Sequence, residues 1–345
     1  MAKAKITPKE NYLRLARGED AAYVPRYTMM NDPWLGEAPT MRLMPRVFKE
    51  NHFMNGGYDM WGVRYVSDSG TGATLPEPNN FMLHDIADWE KVIWFPEMPE
   101  GIDYEKMYNE GLKAANIDRT QSCLLAGPTF SPFQQLVAFM GFTEGLCALA
   151  TDPDSVKDML NAMVDFLEPV INVTMEYYQP DIWTMGDDSC AKQTPFFSLE
   201  TYRDVFKPIY MRLAKPALER GIPVSFHNCG KFESQIPDMM DFGVKYFDPF
   251  QETNDILKDQ RDYKGKIVVV GGWDWDQHIP KNWPEYDEEE IRQGVRDTID
   301  KDAPGGGYVF CGGLIGTEDY VMKVNSIVWD EVYWYGKKVC GYDPN

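Results

Sequence analysis

The sequence predicts an α/β fold, a (β/α)8 TIM barrel with an N-terminal loop-rich extension. Three observations carry that expectation. From residue 101 onward, short apolar runs alternate with longer amphipathic stretches, as in strands joined by helical crossovers. Seven strand candidates can be counted, and residues 40–95 have room for an eighth. No GxGxxG or GxxxxGK(S/T) segment follows any of them, which weakens the open nucleotide-binding sheet as the competing architecture. The length agrees, since 345 residues hold one barrel of about 250 residues and an extension.

In chain order, residues 1–20 predict a charged helix and residues 21–30 an apolar strand. Residues 31–100 carry Trp34, Gly56, Gly57, Trp61, Gly70, Gly72, Pro76 and Pro78, a composition of turns and a hairpin rather than of βα units. This stretch is expected to fold against the barrel mouth. Residues 1–100 are then the extension with the first strand, and 101–345 the main barrel of a single domain. Further strands are expected at 122–127, 181–186, 222–227, 244–248, 267–271 and 308–311. Helices are expected over 133–150, 154–178, 199–220, 233–241, 287–301 and 317–339. Asp152, Pro153 and Asp154 open one of these, and Gly221 closes another.

Composition narrows the function. Lys and Arg number 34 against 54 Asp and Glu, a formal net charge of −20. Nucleic-acid binding needs a basic face, and none is offered. Anionic membrane surfaces are disfavoured for the same reason. No apolar run approaches the roughly 20 residues of a membrane span, and the N-terminus MAKAKITPKE lacks the apolar stretch of a secretory signal. Six cysteines, at 123, 147, 190, 229, 311 and 340, are too scattered for a disulfide scaffold. A cytoplasmic, reduced protein is expected, with thiols serving as core filler or metal ligands.

Barrel chemistry sits at the C-terminal ends of the strands. There the sequence places His227-Asn228-Cys229, with Cys311 ending the last strand. In extended backbone, residues i and i+2 face the same side, so His227 and Cys229 can converge and Cys311 can reach the same mouth. One imidazole and two thiolates suit zinc and leave a fourth position open. The competing reading is buried thiols and a hydrogen-bonded histidine. Cys190 could replace one ligand. Asp187 and Asp188, after Gly186, are the candidate catalytic carboxylates; an exposed acidic loop is the plainer alternative. Trp273 and Asp274, with Met29, Trp34 and Met185, are candidates to line a substrate pocket, against ordinary packing. His52, His84 and His278 have no partner at useful spacing.

Several of these segments resemble the uroporphyrinogen decarboxylase superfamily over roughly residues 120–315. The resemblance rests on Met140-Gly141-Phe142 followed by Asp152-Pro153, then Gly186-Asp187-Asp188, with Gln193, Pro195, Ser198, Tyr202 and Phe206-Lys207-Pro208 after it. It continues through His227-Asn228-Cys229-Gly230, Phe247-Asp248-Pro249-Phe250-Gln251 and Gly271-Gly272-Trp273-Asp274. The resemblance implies a (β/α)8 barrel and one of two chemistries. Decarboxylases of this superfamily act without metal on a porphyrinogen, whose propionates bind an RQAGR-type segment. Here that region is Pro25-Arg26-Tyr27-Thr28-Met29-Met30, with a single arginine.

The other branch comprises cobalamin-dependent methyltransferases. Their zinc motif in the coenzyme M enzymes, H-x-C with a distant C, is matched by His227, Cys229 and Cys311. The resemblance therefore implies Zn2+ at those residues and a corrinoid carried by a partner protein, because no D-x-H-x-x-G cobalamin motif occurs in this chain. The aromatic and methionine content around the mouth points to an aryl methyl ether as donor, with Asp187 or Asp188 orienting a ligand or a substrate hydroxyl. A methylcobamide:coenzyme M methyltransferase is the first alternative, with Lys192 or Lys231 available for a sulfonate. A metal-free decarboxylase is the second, and a zinc-stabilised barrel that only binds a ligand is the third.

Overall fold

The computed structural model describes residues 6–27, 35–48, 50, 56–67, 73–273, 285–314, 316 and 318–343. Eleven strands are found among them. β1 is Arg26–Tyr27, β2 Thr40–Arg42, β3 Gly57–Tyr58, β4 Arg64–Ser67, β5 Thr74–Pro76 and β6 Cys123–Ala126. β7 is Ile182–Gly186, β8 Val224–His227, β9 Val244–Phe250, β10 Val268–Gly272 and β11 Tyr308–Cys311. Eight of them form one sheet in the order β1-β11-β10-β9-β8-β7-β6-β2, every pair parallel. The two ends of that order are consecutive in the chain. Arg42 Nη2 donates to the Tyr27 hydroxyl at 3.5 Å across the gap between them. The architecture is the expected (β/α)8 barrel.

The six later strands stand where the apolar runs predict them, within a residue or two at each end. The eighth strand is β2, only three residues long. The turn-rich stretch contributes the antiparallel sheet β3-β4-β5. Near it, Met60, Trp61, Val63, Leu83, Ile86 and Ile93 join the main core, and Trp61 meets Phe166 edge-on at 5.3 Å. The predicted helix over 133–150 is two, Pro132–Met140 and Phe142–Thr151, bent by 111°. Gly141 makes the break: its φ is +87°, and a Cβ there would stand 2.7 Å from the Phe81 ring. Among the described residues, two helices of about two turns or more escaped the sequence reading. Tyr104–Ala114 buries no residue fully and so shows a weak apolar stripe, and Ile256–Asp262 spans only two turns. Among the described residues no single helix is long and apolar enough to cross a membrane.

The two-residue repeat of the strands divides the core into two layers. Facing the barrel interior are Tyr27, Leu125, Ile182, Tyr246, Val270 and Val309. Facing the helices are Trp183, Phe226, Phe247, Val269 and Phe310. Helix Pro8–Ala16 closes the N-terminal end of the barrel. Its Tyr12 stacks on Tyr246 at 4.9 Å, and the Tyr246 hydroxyl donates to the Tyr12 carbonyl at 2.9 Å. The inward positions are therefore apolar below, whereas the next inward positions toward the strand ends are Thr184, Gly186, Ser225, His227, Asp248 and Cys311.

The last two long helices, Glu288–Asp302 and Asp319–Lys338, are joined by ion pairs of Arg292 and Arg296 to Glu331, at 2.9 and 2.6 Å. Asp302 ends the first of them fully buried, and neither of its carboxylate oxygens has a hydrogen-bond partner. The C-terminal end of a helix also disfavours negative charge. Burial, only partly opposed by Lys301, pushes its pKa from 3.8 up to about 6. The folded state thus holds a proton that the unfolded state has released, so Asp302 lowers stability as pH rises through this window. Asp302→Asn is expected to exceed the parent in stability by about 3 kcal/mol above pH 6, with the gain vanishing below pH 4. Urea unfolding at several pH values checks this; a pH-independent difference would sink it.

Candidate active site

The ends of β7, β8 and β9 lie in register, with Gly186 opposite His227 and His227 opposite Asp248. Gly186 permits the close approach, since a Cβ there would stand 2.9 Å from the His227 Cβ. Cys229, two residues past His227, faces the same side, and its Sγ is 3.6 Å from His227 Nε2. Asp188 Oδ1 lies 3.7 Å from the same nitrogen and accepts the Cys229 backbone N–H at 2.8 Å. Ligand atoms of Asp188, His227 and Cys229 fall within 4.8 Å of one another, a group that could hold a metal ion.

The imidazole is held from behind. His227 Nδ1 is 3.1 Å from Asp248 Oδ2, and the Ser225 hydroxyl donates to Asp248 Oδ1 at 3.0 Å. Asp248 is 2% exposed. Burial works against its ionised form, but His227, Arg42 and Ser225 outweigh it and hold the carboxyl below its usual range. Burial likewise opposes the imidazolium. The Asp248 hydrogen bond, the Cys229 sulfur and the Asp188 carboxylate together hold His227 well above the ordinary imidazole pKa. Two carboxylates and a thiol around one imidazole thus make a locus that favours positive charge. A carboxylate on one ring nitrogen, with the other nitrogen turned to the cluster, is the usual setting of a metal-bound histidine.

The loops that carry these groups are pinned by side chains. Asn228 receives the Ser189 backbone N–H at 3.1 Å and donates to Gln235 Oε1 at 3.1 Å. Gln251 Oε1 accepts the Gly230 N–H at 2.6 Å, and Gln134 Nε2 donates to Asp188 Oδ2 at 3.2 Å.

Asp187 turns the opposite way from Asp188. Its carboxylate accepts the backbone N–H groups of Phe133 at 2.6 Å and Gln134 at 2.9 Å, and the Tyr210 hydroxyl at 2.8 Å. Burial pushes its pKa up to about 7 against these three donors. The residue thereby fastens the end of β7 to the first turn of helix Pro132–Met140.

Of the residues singled out in the sequence, His227, Cys229 and Asp188 meet. Cys311 ends β11 opposite Gly272 and is outside the group within 4.8 Å. Burial, with Asp248 and Cys229 nearby, holds its thiol far above the usual pKa. Cys190 is buried with its sulfur toward Ser189 and Asn228. Met185 packs in the outer layer with Trp183. Trp273 is 6% exposed and meets the Phe310 ring at 5.9 Å. Met29, Trp34 and Asp274 lie outside the described residues. Phe142 is a 45% exposed aromatic ring, 4.9 Å from the ring of Phe196, whose backbone N–H donates to the Ser189 carbonyl at 3.0 Å. Sequence reading gave Asp248 no role. The available signal was its place two residues beyond inward-facing Tyr246.

The model of the uroporphyrinogen decarboxylase (URO-D) family matches residues 62–315. None of the curated proteins matches the chain. Among solved structures, a methyltransferase from Methanosarcina mazei is similar with a TM-score of 0.65 at 12% identity, over 96% of this chain and 100% of its own. A D-psicose 3-epimerase structure determined with D-fructose shares 12% identity over 69% of this chain and 84% of its own, with a TM-score of 0.35. Both identities are low, and the first likeness is one of fold.

Asp187→Ala would leave two N–H groups and a tyrosine hydroxyl without their acceptor. It is expected to cost about 3 kcal/mol of stability without changing whatever metal the Asp188, His227 and Cys229 cluster of the parent takes up. Denaturant unfolding beside a metal titration separates the two effects. Unchanged stability would remove the anchoring role.

Proposed function

The chain belongs to the uroporphyrinogen decarboxylase family, and from that membership we propose that it is a zinc-dependent methyltransferase. It would move a methyl group from a methyl ether, of the aryl type such as a methoxyphenol, to the Co(I) corrinoid of a partner protein. One observation carries this reading: His227 has Nδ1 at Asp248 and Nε2 at the Cys229 sulfur and the Asp188 carboxylate. The proposed zinc ligands are His227, Cys229 and Cys311, with Asp188 beside them. Bound zinc would supply Lewis acidity where negative charge develops on the ether oxygen.

The chain's own residues have distinct parts in this proposal. Asp248 orients the imidazole, and Cys229 contributes a thiolate. Gln134 holds Asp188 at the edge of the cluster. The metal-free decarboxylase is disfavoured by Arg26, the single arginine of its segment. The Arg26 guanidinium lies 5.2 Å from the Trp329 ring, on the helix side of β1.

Mass-spectrometric metal analysis of anaerobically purified protein is expected to find about one zinc per chain. His227→Ala and Cys229→Ala should lose both zinc and methyl transfer while remaining folded. Cys311→Ser separates the ligand sets, and loss of zinc is expected. The activity assay offers 2-methoxyphenol with Co(I) cobalamin, and methylcobalamin with coenzyme M. Full activity in metal-free His227→Ala would refute the zinc mechanism, and activity with coenzyme M alone would select the other methyltransferase.

A further inference from the structure

Cys229 lies in the turn beyond the end of β8, yet the backbone around it is held peptide by peptide. The His227 carbonyl accepts the Asp187 N–H at 2.9 Å, and the Asn228 N–H donates to the Asp248 carbonyl at 2.8 Å. The Cys229 N–H donates to Asp188 Oδ1 at 2.8 Å. The Gly230 N–H donates to Gln251 Oε1 at 2.6 Å, and the Gly230 carbonyl accepts from Asn254 Nδ2 at 2.9 Å. The Lys231 N–H donates to the Ala191 carbonyl at 2.9 Å, and the Phe232 N–H to Asn254 Oδ1 at 3.0 Å.

Two of these partners come from the turn after β9. Gln251 follows the strand directly, and Asn254 is 3% exposed. Asn254 engages both ends of its amide: Oδ1 accepts from Phe232, and Nδ2 donates to the carbonyls of Gly230 and, at 3.1 Å, Gln251. It therefore grips the Cys229 turn and the main chain of Gln251 together. Gly230 lets the turn sit this close. Its φ is +89°, and a Cβ there would stand 2.5 Å from the Ala191 carbonyl oxygen. The peptide before Cys229 is fixed by Asp188 and the peptide after it by Gln251, so the sulfur keeps only rotation about χ1. The position it takes sets Sγ 3.6 Å from His227 Nε2.

We propose that Gln251 and Asn254 are positioning residues that hold the Cys229 thiol where it can share a metal ion with His227. The inference rests on the reading of His227 and Cys229 as metal ligands. Both residues act through the peptide units of Gly230. A ligand pair preset in this way binds a cation without first having to order its turn. Released from Gln251, the Cys229–Gly230 peptide can rotate, and the thiol then samples positions that face away from the imidazole.

The test measures zinc affinity by competition with a chromophoric chelator. The absorption spectrum of the cobalt(II)-substituted protein and urea unfolding of the metal-free protein are read beside it. Outer partners of metal ligands typically change affinity by about 10–100-fold. Gln251→Leu cannot accept the Gly230 N–H, and it is expected to weaken zinc binding by about 10-fold and to alter the cobalt(II) spectrum. Gln251→Glu keeps an oxygen acceptor at the same reach and should restore most of the affinity. Asn254→Ser is too short to reach the Gly230 carbonyl and is expected to lose affinity to a similar extent, which keeps the test open if Gln251→Leu folds poorly. Lower urea stability with wild-type zinc affinity and an unchanged cobalt(II) spectrum would make the two residues structural only. That result, or an equal loss of affinity in Gln251→Glu, overturns the inference while leaving the metal reading intact. No zinc binding by the wild-type protein overturns both readings.

Discussion

The hydrogen bond between Asp248 and His227 is the constraint around which the mouth of the barrel is arranged. A carboxylate this deeply buried is costly unless its oxygens are matched. The match comes from neighbouring strands, so the barrel must close with those strands in one register. β8 and β9 set His227 opposite Asp248. β7 can lie close to β8 at that level because Gly186 has no side chain. The same bond decides which imidazole nitrogen faces the cluster, and with it where a cation is favoured. Fold and site therefore rest on one alignment of strand ends.

Strand parity explains how much of this was legible in the sequence. The apolar runs located six of the barrel strands within a residue or two, because a strand buried on both faces is a continuous hydrophobic stretch. Parity then separates neighbours that composition treats alike. Ile182, Thr184 and Gly186 face inward, and Asp188 continues that phase to the cluster. Trp183 and Met185 face the helices, and Asp187 follows them to the first turn of helix Pro132–Met140. Two adjacent aspartates thus have opposite surroundings, one fastening a helix and the other beside the imidazole. His227 and Cys229 share a phase for the same reason, which is why the H-x-C spacing was informative.

What stayed hidden has equally local causes. β2 has three residues and no apolar run longer than its single methionine, so nothing marked it as a strand. Its last residue, Arg42, is the side chain that links Tyr27 to Thr184. Such a link joins positions more than a hundred residues apart, and spacing along the chain cannot reveal it. The Phe142 and Phe196 pair depends on the turn at Gly141, which a single amphipathic pattern over 133–150 conceals.

Helix Pro8–Ala16, stacked on Tyr246 through Tyr12, makes the barrel a cup with one opening. Everything that reaches His227 crosses the rim and departs across it again. Under the methyl-transfer proposal, a small donor and a protein-borne acceptor would have to share that rim. The small molecule would then need to settle before the larger partner covers it, and to leave only after that partner departs.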